Sequence, residues 1–261
     1  MASPSEPEKW IQRVLAERPE TLRTRELPSV EVAVLDSGVD ATHPDLKSRM
    51  VRAFAAVTKD DLPTEIVAHE LANHDTYGHG TAVSSIISNV APNAKIVDYR
   101  VLGPDNTGAG DALLACLRHA VEAGYRVINM SLAAKASFGP QLLPLCDKAY
   151  RNGQVIVAAK RNMPLADLGY PAEISTVVSV DRTKFEAPWG VRYVPSSIIE
   201  YIGHGEDVQV AAPGGGYTMK TGTSFATPAI SGVVALLLGA YPDLRPFEVK
   251  TVLRAWSQDR V

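Results

Sequence analysis

Short, almost unbroken apolar runs recur along the chain, and between them the apolar positions spread out to every third or fourth residue. The runs, rich in Val and Ile, predict strands over residues 30–35, 95–102, 126–132, 154–159, 176–180 and 208–212. The wider spacing predicts helices over 79–89, 109–123 and 139–151, and later over 224–240 and 246–256. A strand that lacks alternation buries both of its faces. Such strands separated by helices predict an α/β domain, a three-layer, doubly wound, mostly parallel sheet with helices on both faces. Gly124 and Gly153 stand just past two of the helices, where a left-handed cap is expected.

Ahead of the first strand, residues 1–28 hold a short amphipathic pattern. Ser5 and Glu8 have capping-box spacing, and Trp10, Ile11, Val14 and Leu15 share one side. We expect an N-terminal arm packed against a main domain over residues 29–261. Lys250 and Arg254 on the last helix read as a solvated face.

Composition narrows the class. With 261 residues and 46% hydrophobic side chains, the chain can bury one large core. A net charge of −3 without a long Lys or Arg run argues against a nucleic-acid footprint. No apolar stretch approaches the roughly 20 residues of a membrane span, so no membrane partner is expected. Residues 1–9 lack a basic start followed by an apolar run, which predicts a cytoplasmic location. Cys116 and Cys146 lie in apolar helical stretches and read as free buried thiols.

The chemistry lies in three ordered motifs: Asp36-Ser37-Gly38, Gly78-His79-Gly80-Thr81 and Gly222-Thr223-Ser224-Phe225-Ala226-Thr227-Pro228. They supply a carboxylate, an imidazole and a hydroxyl. A Ser hydroxyl becomes a useful nucleophile when a base takes its proton and a third group orients that base. In doubly wound folds ligands bind beyond the carboxyl ends of the strands; Asp36 and Asn162 follow predicted strands, and Ser131 and Leu132 close one. His79 and Ser224 each open a predicted helix. The partial positive charge of a helix start disfavours a protonated imidazole, so His79 is expected to rest neutral, with the Asp36 carboxylate acting in the opposite direction.

On these motifs, from about residue 30 to 238, the chain resembles the subtilisin-like serine proteases, the subtilases. The resemblance implies that Asp36 orients the base, His79 is the general base and Ser224 is the nucleophile. Val155-Ile156-Val157-Ala158-Ala159 followed by Asn162 resembles the segment that presents an Asn amide to the oxyanion, with the Ser224 N–H as second donor. Ser131-Leu132-Ala133 resembles the strand edge that pairs with substrate backbone, and Asn106-Thr107-Gly108 resembles the opposing strand. The implied function is a serine endopeptidase acting on an extended peptide or protein through an acyl-enzyme, without metal or organic cofactor. A ligase or macrocyclase using the same acyl-enzyme, or a catalytically weak peptide-binding pseudoprotease, are the alternatives.

Departures from the family carry their own expectations. Residues 83–89 run directly into Val90-Ala91-Pro92, where many secreted subtilases insert a calcium-binding loop. Asp40 alone cannot enclose a calcium ion and reads as a solvated or capping residue. His69 and His74 are five apart, one more than a zinc-binding helix needs, so no metal is expected there. Lys160-Arg161 replaces a small pair beside the pocket for the residue preceding the scissile bond, and Ala133-Ala134 replaces glycines. Two cations there predict either a preference for an acidic side chain or a pocket narrowed by the Arg stem. The long 189–206 segment offers a rim loop or a surface for a protein partner.

Overall fold

The layers are set by alternation along β1 (Val30–Asp36). Val32 and Val34 enter one apolar cluster, and Ala33 and Leu35 enter another on the opposite face. The computed structural model describes residues 6–58, 63–163 and 167–257. Around β1 lie β2 (Met50–Val57), β3 (Glu65–His69), β4 (Ala94–Arg100), β5 (Val127–Met130), β6 (Val155–Ala159), β7 (Val178–Thr183), β8 (Val191–Tyr193) and β9 (Tyr201–His204). They form a nine-stranded sheet in the order β3-β2-β4-β1-β5-β6-β7-β9-β8. All neighbours pair parallel except the two edges, β3 on β2 and β8 on β9.

Helices α3 (His79–Val90), α6 (Thr223–Ala240) and α7 (Pro246–Ala255) cover the Val32 face, whereas α4 (Gly110–Glu122) and α5 (Gly139–Arg151) cover the other. The three-layer expectation therefore holds. Of these helices α6 is the most completely enclosed. It is apolar nearly all round and buried along 16 of its 18 residues, as a helix must be when no face of it can meet water. Truncating one of its Leu side chains is worth roughly 2–5 kcal/mol. Gly124 and Gly153 adopt φ of 82° and 83°, the left-handed values expected past α4 and α5. Both thiols, Cys116 and Cys146, are free and buried, and burial pushes each up to about 12.

Three readings change. Strand β10 (Val208–Ala212) does not join the large sheet but pairs antiparallel with β11 (Gly216–Lys220) as a separate hairpin. Strands β2, β3, β8 and β9 were not expected, because the apolar runs of these peripheral strands are broken by polar residues and half-exposed positions. Within the 189–206 segment β8 and β9 are thereby built into the sheet, and Pro195, Ser196 and Ile198 between them are exposed. Lys250 is not solvated. Its Nζ pairs with Glu200 at 2.5 Å and donates to the Ser175 carbonyl at 2.7 Å, whereas Arg254 is exposed as expected, lying over the Tyr193 ring at 4.7 Å.

The arm is integrated with the main domain. Val14 of α1 (Glu6–Ala16) and Leu22 of α2 (Pro19–Arg23) are fully buried in the core cluster shared with α6, and Trp10 and Leu15 pack against it. Arg23 donates to the carbonyls of Val90 at 2.9 Å and Asn89 at 2.8 Å, closing the end of α3 with a cation. The Ser5 half of the expected capping box lies outside the described residues.

Candidate active site

In the sheet, β1 is flanked by β4 on one side and β5 on the other, so the chain order reverses there and opens a crevice at its carboxyl end. Asp36 is the last residue of β1. The alternation that sends Val32 and Val34 toward α3 and α6 sends its side chain the same way. His79 is the first residue of α3, and its Nδ1 lies 2.7 Å from Asp36 Oδ1. That bond fixes the tautomer: Nδ1 carries the proton and Nε2 keeps its lone pair. Gly80 makes the approach possible, because a Cβ there would strike the Gly38 carbonyl and crowd the Asp36 Cβ. Asp36 Oδ1 also accepts from the Ser37 N–H at 2.8 Å.

Asp75 fastens this corner and escaped the sequence reading. Its Oδ1 accepts from Ser37 Oγ at 2.7 Å and from the Gly78 and Tyr77 N–H groups at 2.7 and 3.0 Å. Its Oδ2 accepts from the Thr81 N–H at 2.9 Å and the Thr81 hydroxyl at 2.5 Å. A helix start leaves its first N–H groups unpartnered, so an Asp just upstream of the His motif was the available signal.

Burial by itself would lower the pKa of His79. The Asp36 charge and hydrogen bond, with Asp75 behind them, outweigh that and hold the imidazole above its ordinary 6.5. The Asp36 carboxylate, expected to act against the helix start, sets the direction of the shift. Beneath this pair sits Asp98, fully buried, accepting from the Val39 N–H at 3.2 Å. Its carboxyl is held well above the usual range, by burial first and also by the neighbouring Asp75 and Asp36 charges.

Ser224 stands in the first turn of α6, where its N–H has no helical acceptor four residues back. The His79 ring meets Phe225, the next residue, with centroids 5.3 Å apart. Among the described residues the Ser224 hydroxyl makes no hydrogen bond to His79. Contacts between nucleophile and base commonly tighten only around substrate. Ser224 opens onto a cleft of about 650 Å³ whose walls include Asn106, Thr107, Gly108, Ser131, Leu132, Ala133, Lys160, Arg161 and Asn162. Every residue anticipated for substrate binding thus lies on one cavity. Asn162 Oδ1 accepts from the Thr223 N–H at 3.0 Å, which leaves the amide Nδ2 as its free end.

A profile of the subtilase family matches residues 28–260. The chain belongs to the subtilase family. It is 32% identical to Subtilisin DY of Bacillus licheniformis over 86% of this chain and 82% of that one. It is 30% identical to the major intracellular serine protease of Bacillus subtilis (strain 168), over 89% and 73%. The solved structure of a cold-adapted subtilisin-like serine proteinase superposes with a TM-score of 0.71 at 26% identity, over 87% of this chain and 82% of that one.

Ion pairs and backbone contacts shape the walls of the cleft. The two cations beside the cleft are both neutralised: Lys160 Nζ pairs with Asp181 at 2.6 Å, and Arg161 pairs with Asp167 at 3.0 Å. Arg161 also donates to the Ala134 carbonyl at 2.9 Å, so its stem crosses between the two walls. Residues 131–133 run on past β5 without a strand partner until Ala134 bridges to Tyr170. The opposing residues 106–108 belong to a turn and not to the expected strand, with the Thr107 carbonyl already taken by the Gly103 N–H at 2.7 Å. Asp40 is buried and neither solvated nor at a helix start: Oδ1 accepts from the Thr42 N–H of its own turn at 3.0 Å and Oδ2 from the Gly214 N–H at 2.9 Å.

Proposed function

We propose that this subtilase performs serine endopeptidase chemistry with Ser224 as nucleophile, His79 as general base and acid, and Asp36 as the orienting carboxylate. His79 Nε2 takes the Ser224 proton as Oγ attacks the scissile carbonyl, then returns it to the departing amine; water releases the acyl group by the same route. Asn162 Nδ2 and the Ser224 N–H face the carbonyl oxygen as it becomes an anion. The single observation carrying this reading is the 2.7 Å bond from His79 Nδ1 to Asp36, with the same ring packed 5.3 Å from Phe225, the residue next to Ser224. Covalent labelling by a fluorophosphonate tests it: Ser224→Ala must abolish labelling, and an unlabelled parent chain refutes the proposal.

An extended peptide pairs with the free backbone of residues 131–133, while the turn at 106–108 bounds it on the other side. The neutralised cations support the narrowed pocket over an acidic preference. Arg161, stapled to Asp167 and Ala134, restricts the residue preceding the scissile bond to small side chains. The chemistry requires neither metal nor organic cofactor. A joined peptide product in the same assay would instead assign the ligase reading. The intracellular designation of the Bacillus subtilis relative supports a cytoplasmic location, which cell fractionation checks.

A further inference from the structure

Asn162 follows β6 at the exposed rim of the cleft, and the amide torsion of an Asn is broad, so its oxyanion-facing end is only as well placed as its carbonyl end is held. One holder is the Thr223 N–H. The Thr223 hydroxyl is a poor second, since it lies 3.1 Å from Asn162 Oδ1 but 2.6 Å from the Lys160 carbonyl and has one proton to give. The other holder is charged: Arg182, from β7, places Nη1 3.0 Å from Asn162 Oδ1. The Arg182 guanidinium has one carboxylate beside it, Glu206 at 3.8 Å from Nε. Asp181 is occupied otherwise, its Oδ1 by the Arg182 backbone N–H at 2.8 Å and its Oδ2 by Lys160.

We infer that Arg182 is a positioning residue for the oxyanion donor, locking Asn162 with Nδ2 toward the substrate and polarising its amide. A charge-assisted bond to Oδ1 is stronger than a neutral one. It also draws electron density from the amide, so Nδ2–H becomes the better donor as negative charge develops on the substrate oxygen. This step rests on the oxyanion role proposed for Asn162. It predicts an effect on turnover and not on substrate binding, because Arg182 acts through Asn162 and not on the peptide.

A double-mutant cycle tests it, using a fluorogenic peptide selected from a library by cleavage with the parent chain. Arg182→Ala and the longer Arg182→Gln are expected to lower kcat about 3- to 10-fold, discounted for a guanidinium partly open to solvent, with KM unchanged. Arg182→Lys should recover part of the loss. In an Asn162→Ala background the same replacements should change kcat by less than about twofold. Equal losses in both backgrounds, or a loss appearing in KM alone, overturn the inference while leaving the peptidase reading intact. A parent chain that neither cleaves peptide nor takes up fluorophosphonate overturns both.

Discussion

The two flanks of the cleft are built from different materials. On the relay flank Asp36 is fully buried and His79 keeps 10% of its side-chain surface exposed, and both are held by short bonds close to the backbone. On the oxyanion flank Lys160, Arg161, Asp181 and Arg182 retain 25–33% exposure and hold one another through long, charged side chains. Buried, backbone-anchored groups lose little to rearrangement and tolerate almost no substitution. Partly exposed ion pairs are screened by water and salt, and each contributes modestly. The chemistry therefore depends steeply on one flank, whereas specificity and fine positioning are adjustable on the other.

Breaking the relay flank should give the largest effects. Ser224→Ala or His79→Ala is expected to lower kcat on the order of 10⁶-fold, and the double variant by little more, since the two act as a unit; an additive double loss in steady-state kinetics contradicts the relay. Asp36→Asn should cost about 10⁴-fold. It should also move the acid limb of the profile. In the parent chain kcat/KM is expected to fall as pH drops through a value above 6.5, where His79 takes up a proton. Without the Asp36 charge, burial is opposed only by the smaller Asp75 contribution and the limb shifts to lower pH. A limb that stays in place argues that some other group sets it.

The oxyanion flank should respond less. Asn162→Ala is expected to lower kcat roughly 100- to 1,000-fold with KM nearly unchanged. Arg161→Ala should open the pocket and shift the relative kcat/KM of large over small residues before the scissile bond by about tenfold, read from peptide-library cleavage. An unaltered profile would remove Arg161 from the specificity of this enzyme. Smallest of all, raising NaCl from 0.05 to 1 M should lower kcat about twofold through the Lys160, Asp181 and Arg182 charges, and this sensitivity should vanish in Arg182→Gln. Equal salt effects in both chains would erase the contrast between the flanks.

Legibility followed the range of the forces involved. The positions of the proposed triad, Asp36, His79 and Ser224, were readable because each stands at a strand end or helix start that local periodicity marks, inside a motif short enough to see whole. Asp75 was one step from legible, since a helix start announces its need for an acceptor. The peripheral strands β2, β3, β8 and β9 were hidden because polar and half-exposed positions break their apolar runs. Arg182 was invisible: its partner Asn162 lies 20 positions before it, and Thr223, the other group holding that amide, lies 61 positions after Asn162.

What the sequence determined by itself was the class of the fold and the order of its central elements, and it singled out the groups proposed to react, because periodicity and motif chemistry act over a few residues. Only the tertiary structure decided which charges neutralise which, that His79 is held more basic than its helix start suggests, and how Asn162 is aimed. Those outcomes depend on distances of about 3 Å between segments remote in the chain. Burial and Coulomb interactions take their value from the folded surroundings, and no local pattern encodes them.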